Sequence, residues 1–225
     1  MADERLIGEA LRYLGAGERA PEDMRAGMAA LAAELEARIR PRHALRVLDI
    51  TRAGDALTLG GGALPDGLTL PGQLARTVLA ACDRAALLVC TLGPTFDAWM
   101  RALQARDMAR AVMLDALGSA WVEAGCDAAE RALMARLPGK HLTDRFSPGY
   151  GDLPLTLQSA LLEATDAPRY LGVSATESCL LIPQKTVTAI IGIADTPQPA
   201  RIRGCGACPL RERCASRKGG KNCDL

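Results

Sequence analysis

Asp144-Arg145-Phe146-Ser147-Pro148-Gly149-Tyr150-Gly151-Asp152-Leu153-Pro154 is the stretch on which the reading of this chain turns. Its prolines and glycines make it a loop. Gly149 lets backbone come close to a ligand, Pro148 fixes the approach, and Arg145 offers a planar fork of donors suited to a carboxylate. Tyr150 adds a flat face and a hydroxyl. Two readings fit these residues: an anion-binding loop, or an ordinary turn with an exposed arginine.

On either side the chain carries regular patterns. Thr95 to Leu137 is helical throughout, and Gly118 and Gly125 weaken its interior, so more than one helix is expected there. The small residues Ala109, Ala111, Ala116, Gly118, Ser119 and Ala120 suggest close packing of this segment against a sheet. Asp115, Glu123 and Asp127 share one helix face, which either meets a partner or is solvated. After the loop, Val187 to Ala194 reads as a strong strand, and Pro197 and Pro199 mark the end of the folded domain.

Nearer the start, Leu6, Ile7, Ala10, Leu11 and Leu14 recur at helical spacing until Gly15 and Gly17 stop the run. Pro21 stands where a first-turn proline belongs, and Met24, Met28, Leu31 and Leu35 continue a second amphipathic helix up to Pro41. Leu45 to Ile50 and Ala56 to Leu59 read as strands joined by the turn Ala53-Gly54-Asp55, an expected hairpin. Pro71 starts a helical stretch to about Cys82, and Ala85 to Leu92 is a buried strand ended by Gly93-Pro94.

The 225 residues suffice for one domain with a sizeable core, or one domain plus an appendage. A hydrophobic share of 49% with 24% charged residues is that of a folded chain. The run Ala85 to Cys90 is far short of the roughly 20 residues that cross a bilayer, so no membrane span is expected. Met1-Ala2-Asp3-Glu4-Arg5 fits neither a secretory nor a transit peptide, so the expected location is cytoplasmic. A net charge of +1 and only seven aromatic residues give no basis for nucleic acid or an anionic membrane as partner.

Charge and cysteine are unevenly spread. From Ala200 to Leu225 seven Lys/Arg stand against two acids, leaving the preceding residues net negative. Cys82, Cys90, Cys126 and Cys179 sit among apolar neighbours and read as small buried hydrophobes. Cys205, Cys208, Cys214 and Cys223 crowd into the tail with almost nothing apolar to bury against. Their spacing, Cys-x2-Cys-x5-Cys-x8-Cys, offers four thiolates to an iron–sulfur cluster or to zinc, the third reading being unliganded thiols. One tight knuckle followed by two irregular gaps favours the cluster. Arg211, Arg213, Arg217 and Lys218 either offset the thiolate charge or serve solubility.

The chain also resembles a known family: the S-adenosylmethionine-binding activation domain of cobalamin-dependent methionine synthase, in a short free-standing bacterial form. Leu11-Arg12-Tyr13-Leu14-Gly15, Thr91-Leu92-Gly93 with Phe96-Asp97, and Asp115-Ala116-Leu117-Gly118-Ser119 with Cys126-Asp127 carry the resemblance. Arg145-x-x-Pro148-Gly149-Tyr150 with Pro154, then Thr176-Glu177-Ser178 with Pro183, complete it. It implies that Arg145 takes the methionine carboxylate of S-adenosylmethionine, with the Ser147 backbone and Tyr150 in contact with the cofactor and Gly149 giving it room. The loop has no Cys or His to intercept the methyl group. Glu177 either balances the sulfonium or ammonium charge or caps and pairs at the end of an element. An N-terminal acidic contact that the modular enzyme makes to the cofactor has no residue-by-residue match.

These readings combine into expectations. The fold class is α+β: a mainly antiparallel twisted sheet packed by helices, over residues 1–199, with a cysteine-rich metal-binding tail over 200–225. No cobalamin domain fits in the chain, so the resemblance implies an accessory component acting in trans on a separate cobalamin-dependent methyltransferase that carries the cobalamin. The electron donor is unassigned. A competing reading makes the chain a non-catalytic metal-binding or electron-transfer module that works through its C-terminal cysteines.

Overall fold

Helical spacing and its stop signals shape the start of the chain. The computed structural model describes residues 4–61, 64–199 and 202. Helix α1 (Glu4–Tyr13) buries Leu6, Ala10 and Leu11, and Gly15 just beyond it has φ 72. Helix α2 (Glu22–Arg38) opens on Glu22 and Asp23, which favour the positive end of the helix dipole, and buries Met28, Leu31, Ala32 and Leu35. Pro21 is the residue before this helix rather than part of its first turn.

The expected hairpin is present. Strands β1 (Arg42–Ala53) and β2 (Ala56–Gly61) pair antiparallel with Ala53 opposite Ala56, and Gly54 turns with φ 57. Strand β3 (Leu64–Leu70) carries Pro65 and Gly67 and no alternation that would announce a strand. It forms because it is an edge strand, where a proline blocks no inner ladder. Its pairing sets Leu57 opposite Leu70 and Leu59 opposite Leu68, so four buried leucines share one face.

Helix α3 (Gln73–Val78) is shorter than expected, because the chain already turns at 79–81 and enters β4 (Cys82–Thr91). Ala85 to Cys90 are all fully buried, as an inner strand requires. Helices α4 (Pro94–Gln104) and α5 (Met108–Ala135) then divide the long helical stretch at 105–107. The division does not fall at Gly118 or Gly125, which both lie inside α5. Those glycines are contact points rather than breaks. A Cβ on Gly118 would stand 2.3 Å from the Phe96 ring of α4, and one on Gly125 would stand 2.5 Å from Pro41 and 2.8 Å from the Cys90 sulfur. The packing expected against a sheet is thus, at Gly118, packing against a helix.

The remaining elements are β5 (His141–Leu142), α6 (Leu157–Ala164), α7 (Ala167–Leu171), β6 (Ser174–Ala175), β7 (Leu181–Ile182) and β8 (Thr186–Ala194). The sheet runs β3-β2-β1-β4-β8-β5, and β6 and β7 form a separate two-stranded ribbon. The β1/β2, β2/β3 and β5/β8 pairs are antiparallel, and the fold class is α+β as expected. Cys82, Cys90 and Cys126 are buried, and burial pushes the Cys82 thiol up. Cys179 departs from expectation: it is only half-buried and has φ 62, because it sits in the turn between β6 and β7. No described helix is long and apolar enough to cross a membrane.

The chain forms two compact units that alternate along the sequence. One takes residues up to Ala44, Val89–Arg131 and Asp166–Val187. The other takes Leu45–Leu88, Ala132–Thr165 and the described residues from Thr188 onward. Neither is a continuous piece of sequence. The first is mainly helical, and its ties include the Trp121 indole N–H donating to the Ile39 carbonyl at 3.1 Å and Arg110 paired with Glu34 at 2.9 Å. The second holds most of the sheet, with α6 against β3.

Candidate functional site

The loop singled out in the sequence lies in the sheet-bearing unit, and both of its ends are tied to β8. Beyond β5 the chain stays on the same strand: Thr143 N–H donates to the Gly192 carbonyl at 3.0 Å, and its hydroxyl accepts Gly192 N–H at 2.8 Å. Phe146 and Ile190 then exchange backbone bonds of 3.0 and 2.8 Å, with Phe146 fully buried. On the far side of the loop, Gln158 of α6 accepts a 2.5 Å hydrogen bond from the Thr188 hydroxyl, both residues being buried. Arg145 lies within the first anchor, between Thr143 and Phe146, and Ser147, Gly149 and Tyr150 fall between the two anchors.

Local chemistry closes the loop. Tyr150 N–H donates to the Ser147 carbonyl at 3.0 Å across Pro148 and Gly149, and Gly149 has φ 92. Proline first and a left-handed glycine second is the signature of a type II turn. A second turn follows directly, with Leu153 N–H on the Tyr150 carbonyl at 2.9 Å and Gly151 at φ 54. Gly149 N–H reaches the Leu153 carbonyl at 2.8 Å and joins the two turns. Tyr150 is their shared residue and is 48% exposed.

Arg145 is only 8% exposed, so the reading of an ordinary turn with an exposed arginine is wrong for this residue. A guanidinium keeps its charge at any working pH and is seldom buried unless paired, and Arg145 has an interaction of its own within the fold. Two residues past Tyr150, the Asp152 carboxylate accepts the N–H groups of Gln73 and Leu74 at 2.5 and 2.9 Å, at the start of α3. These bonds, with a smaller effect of Arg76, hold its carboxyl below the usual carboxylate range. Asp152 carries no sequence signal, because its partners lie 78 and 79 residues earlier in the chain.

Glu177 belongs to the helical unit and is exposed in the turn between β6 and β7. The cap in this turn is supplied by Thr176, whose hydroxyl accepts Leu180 N–H at 3.0 Å and lies 2.9 Å from the Ser178 hydroxyl. The same unit gathers other motif residues. Asp115, on the face expected to meet a partner or be solvated, is exposed and is paired with Lys185 at 2.9 Å, and Lys185 also donates to Ser119 at 2.9 Å. Asp97 accepts Gln184 N–H at 3.1 Å.

Cys205, Cys208, Cys214 and Cys223 lie outside the described residues. Among the described residues no group of three or more His, Cys, Asp or Glu is placed to hold a metal ion. The last described residue is Ile202, whose N–H donates to the Asp144 carboxylate at 3.0 Å, directly before Arg145.

A solved structure shares this fold. It is a crystal structure of the MetH reactivation domain bound to AdoHcy, matched with a TM-score of 0.67 over 97% of this chain and 82% of that one. Sequence identity is 15%, so the likeness is one of fold. No family model and no curated protein matches the sequence. The fold implied by the short motifs is therefore the fold found, in a chain only 15% identical in sequence to that neighbour.

Proposed function

We propose that this chain binds S-adenosylmethionine through the 145–150 loop and serves as a reactivation subunit for a separate cobalamin-dependent methionine synthase or related corrinoid methyltransferase. The observation that carries this reading is the fold shared with the MetH reactivation domain across 97% of the chain. That neighbour holds AdoHcy, the product left when S-adenosylmethionine gives up its methyl group. The donor set of the loop fits such a ligand. Arg145 presents the one cation in the loop to the amino-acid carboxylate, Gly149 keeps the main chain bare, and Tyr150 offers ring and hydroxyl from an exposed position. Glu177 is assigned as a counter-charge to the ligand's cationic part.

S-adenosylmethionine supplies a methyl group on a sulfonium. The chain's part is positional: it grips the distant carboxylate, brings no thiol or imidazole near the methyl within residues 144–154, and leaves the methyl free for the partner's cobalt. Overall, cob(II)alamin plus one electron plus S-adenosylmethionine gives methylcobalamin and S-adenosylhomocysteine. The electron comes from a low-potential donor; Cys205, Cys208, Cys214 and Cys223 are assigned as the residues that would hold an iron–sulfur cluster, which would supply one-electron chemistry, whereas zinc, the alternative occupant, would be structural only. Iron, sulfide and zinc analysis of anaerobically prepared protein decides between the two.

Calorimetry with S-adenosylmethionine tests the binding site. Because Arg145 is 8% exposed, Arg145→Ala would disturb folding as well as binding, so Arg145→Lys is the cleaner probe. It keeps the charge and loses the two-pronged geometry, for an expected loss of about tenfold in affinity. Tyr150→Ala, at a position 48% exposed, should keep the fold and weaken binding about three- to tenfold. Unchanged affinity in both variants removes the loop from the site.

A further inference from the structure

We propose that Asp152 is a positioning residue, which fixes the 145–150 loop in its ligand-holding shape by clamping it to the start of α3. The inference rests on the binding reading above and names what keeps that site in register. The hydrogen bonds of the two β8 anchors are made by Thr143, Phe146 and Gln158, outside the stretch from Ser147 to Asp152 that carries Tyr150. The bonds from Gln73 and Leu74 to Asp152 are the tie from that stretch to another element. Asp152 is a central residue of the turn whose first carbonyl is that of Tyr150, so a shift of Asp152 is passed to Tyr150 through the 2.9 Å bond from Leu153.

The opposite side of the clamp is shaped to receive this carboxylate. Helix α3 begins after Gly72, which has no side chain to cap it, and Asp152 takes the place of that missing cap. A Cβ on Gly72 would stand 2.6 Å from an Asp152 carboxylate oxygen and 3.0 Å from its carbonyl, and Gly72 has φ 95 besides. Gly151 approaches less tightly from the other direction: a Cβ there, at φ 54, would be 3.3 Å from the Leu74 side chain. Gly72 at positive φ thus clears the way for the carboxylate, and Gly151 at positive φ lets the turn close against Leu74.

The clamp needs the charged carboxylate. Gln73 and Leu74 approach it through backbone N–H groups, Arg76 of the same helix is the cation that favours its charge, and no acid is among the groups acting on it. Its carboxyl titrates below the usual range, so the clamp is complete above the ordinary carboxylate range and is lost as pH falls through the depressed value. Ligand affinity should therefore carry an acid limb that belongs to Asp152.

The test uses the full-length wild type, Asp152→Asn and Gly72→Ala. Backbone hydrogen exchange of residues 145–153 is measured without ligand, S-adenosylhomocysteine affinity is measured by calorimetry at neutral and at acid pH, and melting temperature is recorded alongside. Asparagine keeps one acceptor but turns an amide toward the second N–H, so exchange should quicken and affinity should fall about two- to fivefold at neutral pH. The acid limb should vanish in Asp152→Asn while melting changes little, and Gly72→Ala should reproduce the neutral-pH loss from the other side. A merely structural role predicts lower melting with unchanged affinity and an unchanged pH profile, which overturns the proposal. Unchanged exchange overturns it too. If exchange quickens but wild type binds no S-adenosylhomocysteine, the clamp exists, the binding reading fails, and the positioning role falls with it.

Discussion

The loop from Asp144 to Leu155 and the turn from Ser174 to Ile182 both carry residues assigned to the ligand, yet they are held in opposite ways. The loop is tied to elements far away in sequence: Phe146 to Ile190, Gln158 to Thr188 and Asp152 to α3. The turn holds itself, with Thr176 bonded to Ser178, Cys179 and Leu180 and flanked by strands of two residues each. A segment bonded to the core reports the core's geometry, and a self-contained turn reports only its own sequence. In the proposed reading the arginine-bearing loop is the part that fixes the ligand, and Glu177 is assigned only a charge.

Substitutions ranked by size test this contrast. Phe146→Ala removes a fully buried ring between Arg145 and Ser147, and about 3–5 kcal/mol of stability should be lost in denaturant titrations, with ligand binding lost as well. Thr188→Val keeps the shape but strands the buried Gln158 acceptor, at an expected cost of about 1–3 kcal/mol in the same titration. Thr176→Ala deletes local bonds in the ribbon turn and should cost only about 0.5–1.5 kcal/mol, with affinity through the loop unaffected. Glu177→Gln, at an exposed position, should change stability by less than about 0.5 kcal/mol while reducing affinity for the cationic S-adenosylmethionine more than for neutral-sulfur S-adenosylhomocysteine. If Thr176→Ala costs as much as Thr188→Val, the contrast between anchored loop and free turn breaks down.

What could be read in the sequence follows the same division between local and distant causes. The β1/β2 hairpin was legible because alternation and the Ala53-Gly54-Asp55 turn are local, and the buried run of β4 because an inner strand is apolar on both faces. Strand β3 was not, since Pro65 and Gly67 speak against a strand and only its edge position permits one. Gly118 and Gly125 misled for a related reason: glycine inside a helix signals weakness locally, whereas here it admits Phe96 in one case and Pro41 with Cys90 in the other. At the site, Arg145, Pro148, Gly149 and Tyr150 stood out as loop chemistry. The burial of Arg145, the Asp152 clamp and the Lys185 partner of Asp115 depend on residues brought in from elsewhere and have no local signature.

The central claim is that this chain presents a methyl donor to cobalt on another protein. Its most direct test mixes the full-length chain anaerobically with a cobalamin-loaded methyltransferase, a low-potential reductant and S-adenosylmethionine, and follows the absorbance of cob(II)alamin. The account predicts conversion to methylcobalamin that requires both proteins, slows in Tyr150→Ala, and leaves one S-adenosylhomocysteine for each cobalamin methylated. Equal conversion without this chain, or an equal rate with Tyr150→Ala and Arg145→Lys, would contradict it.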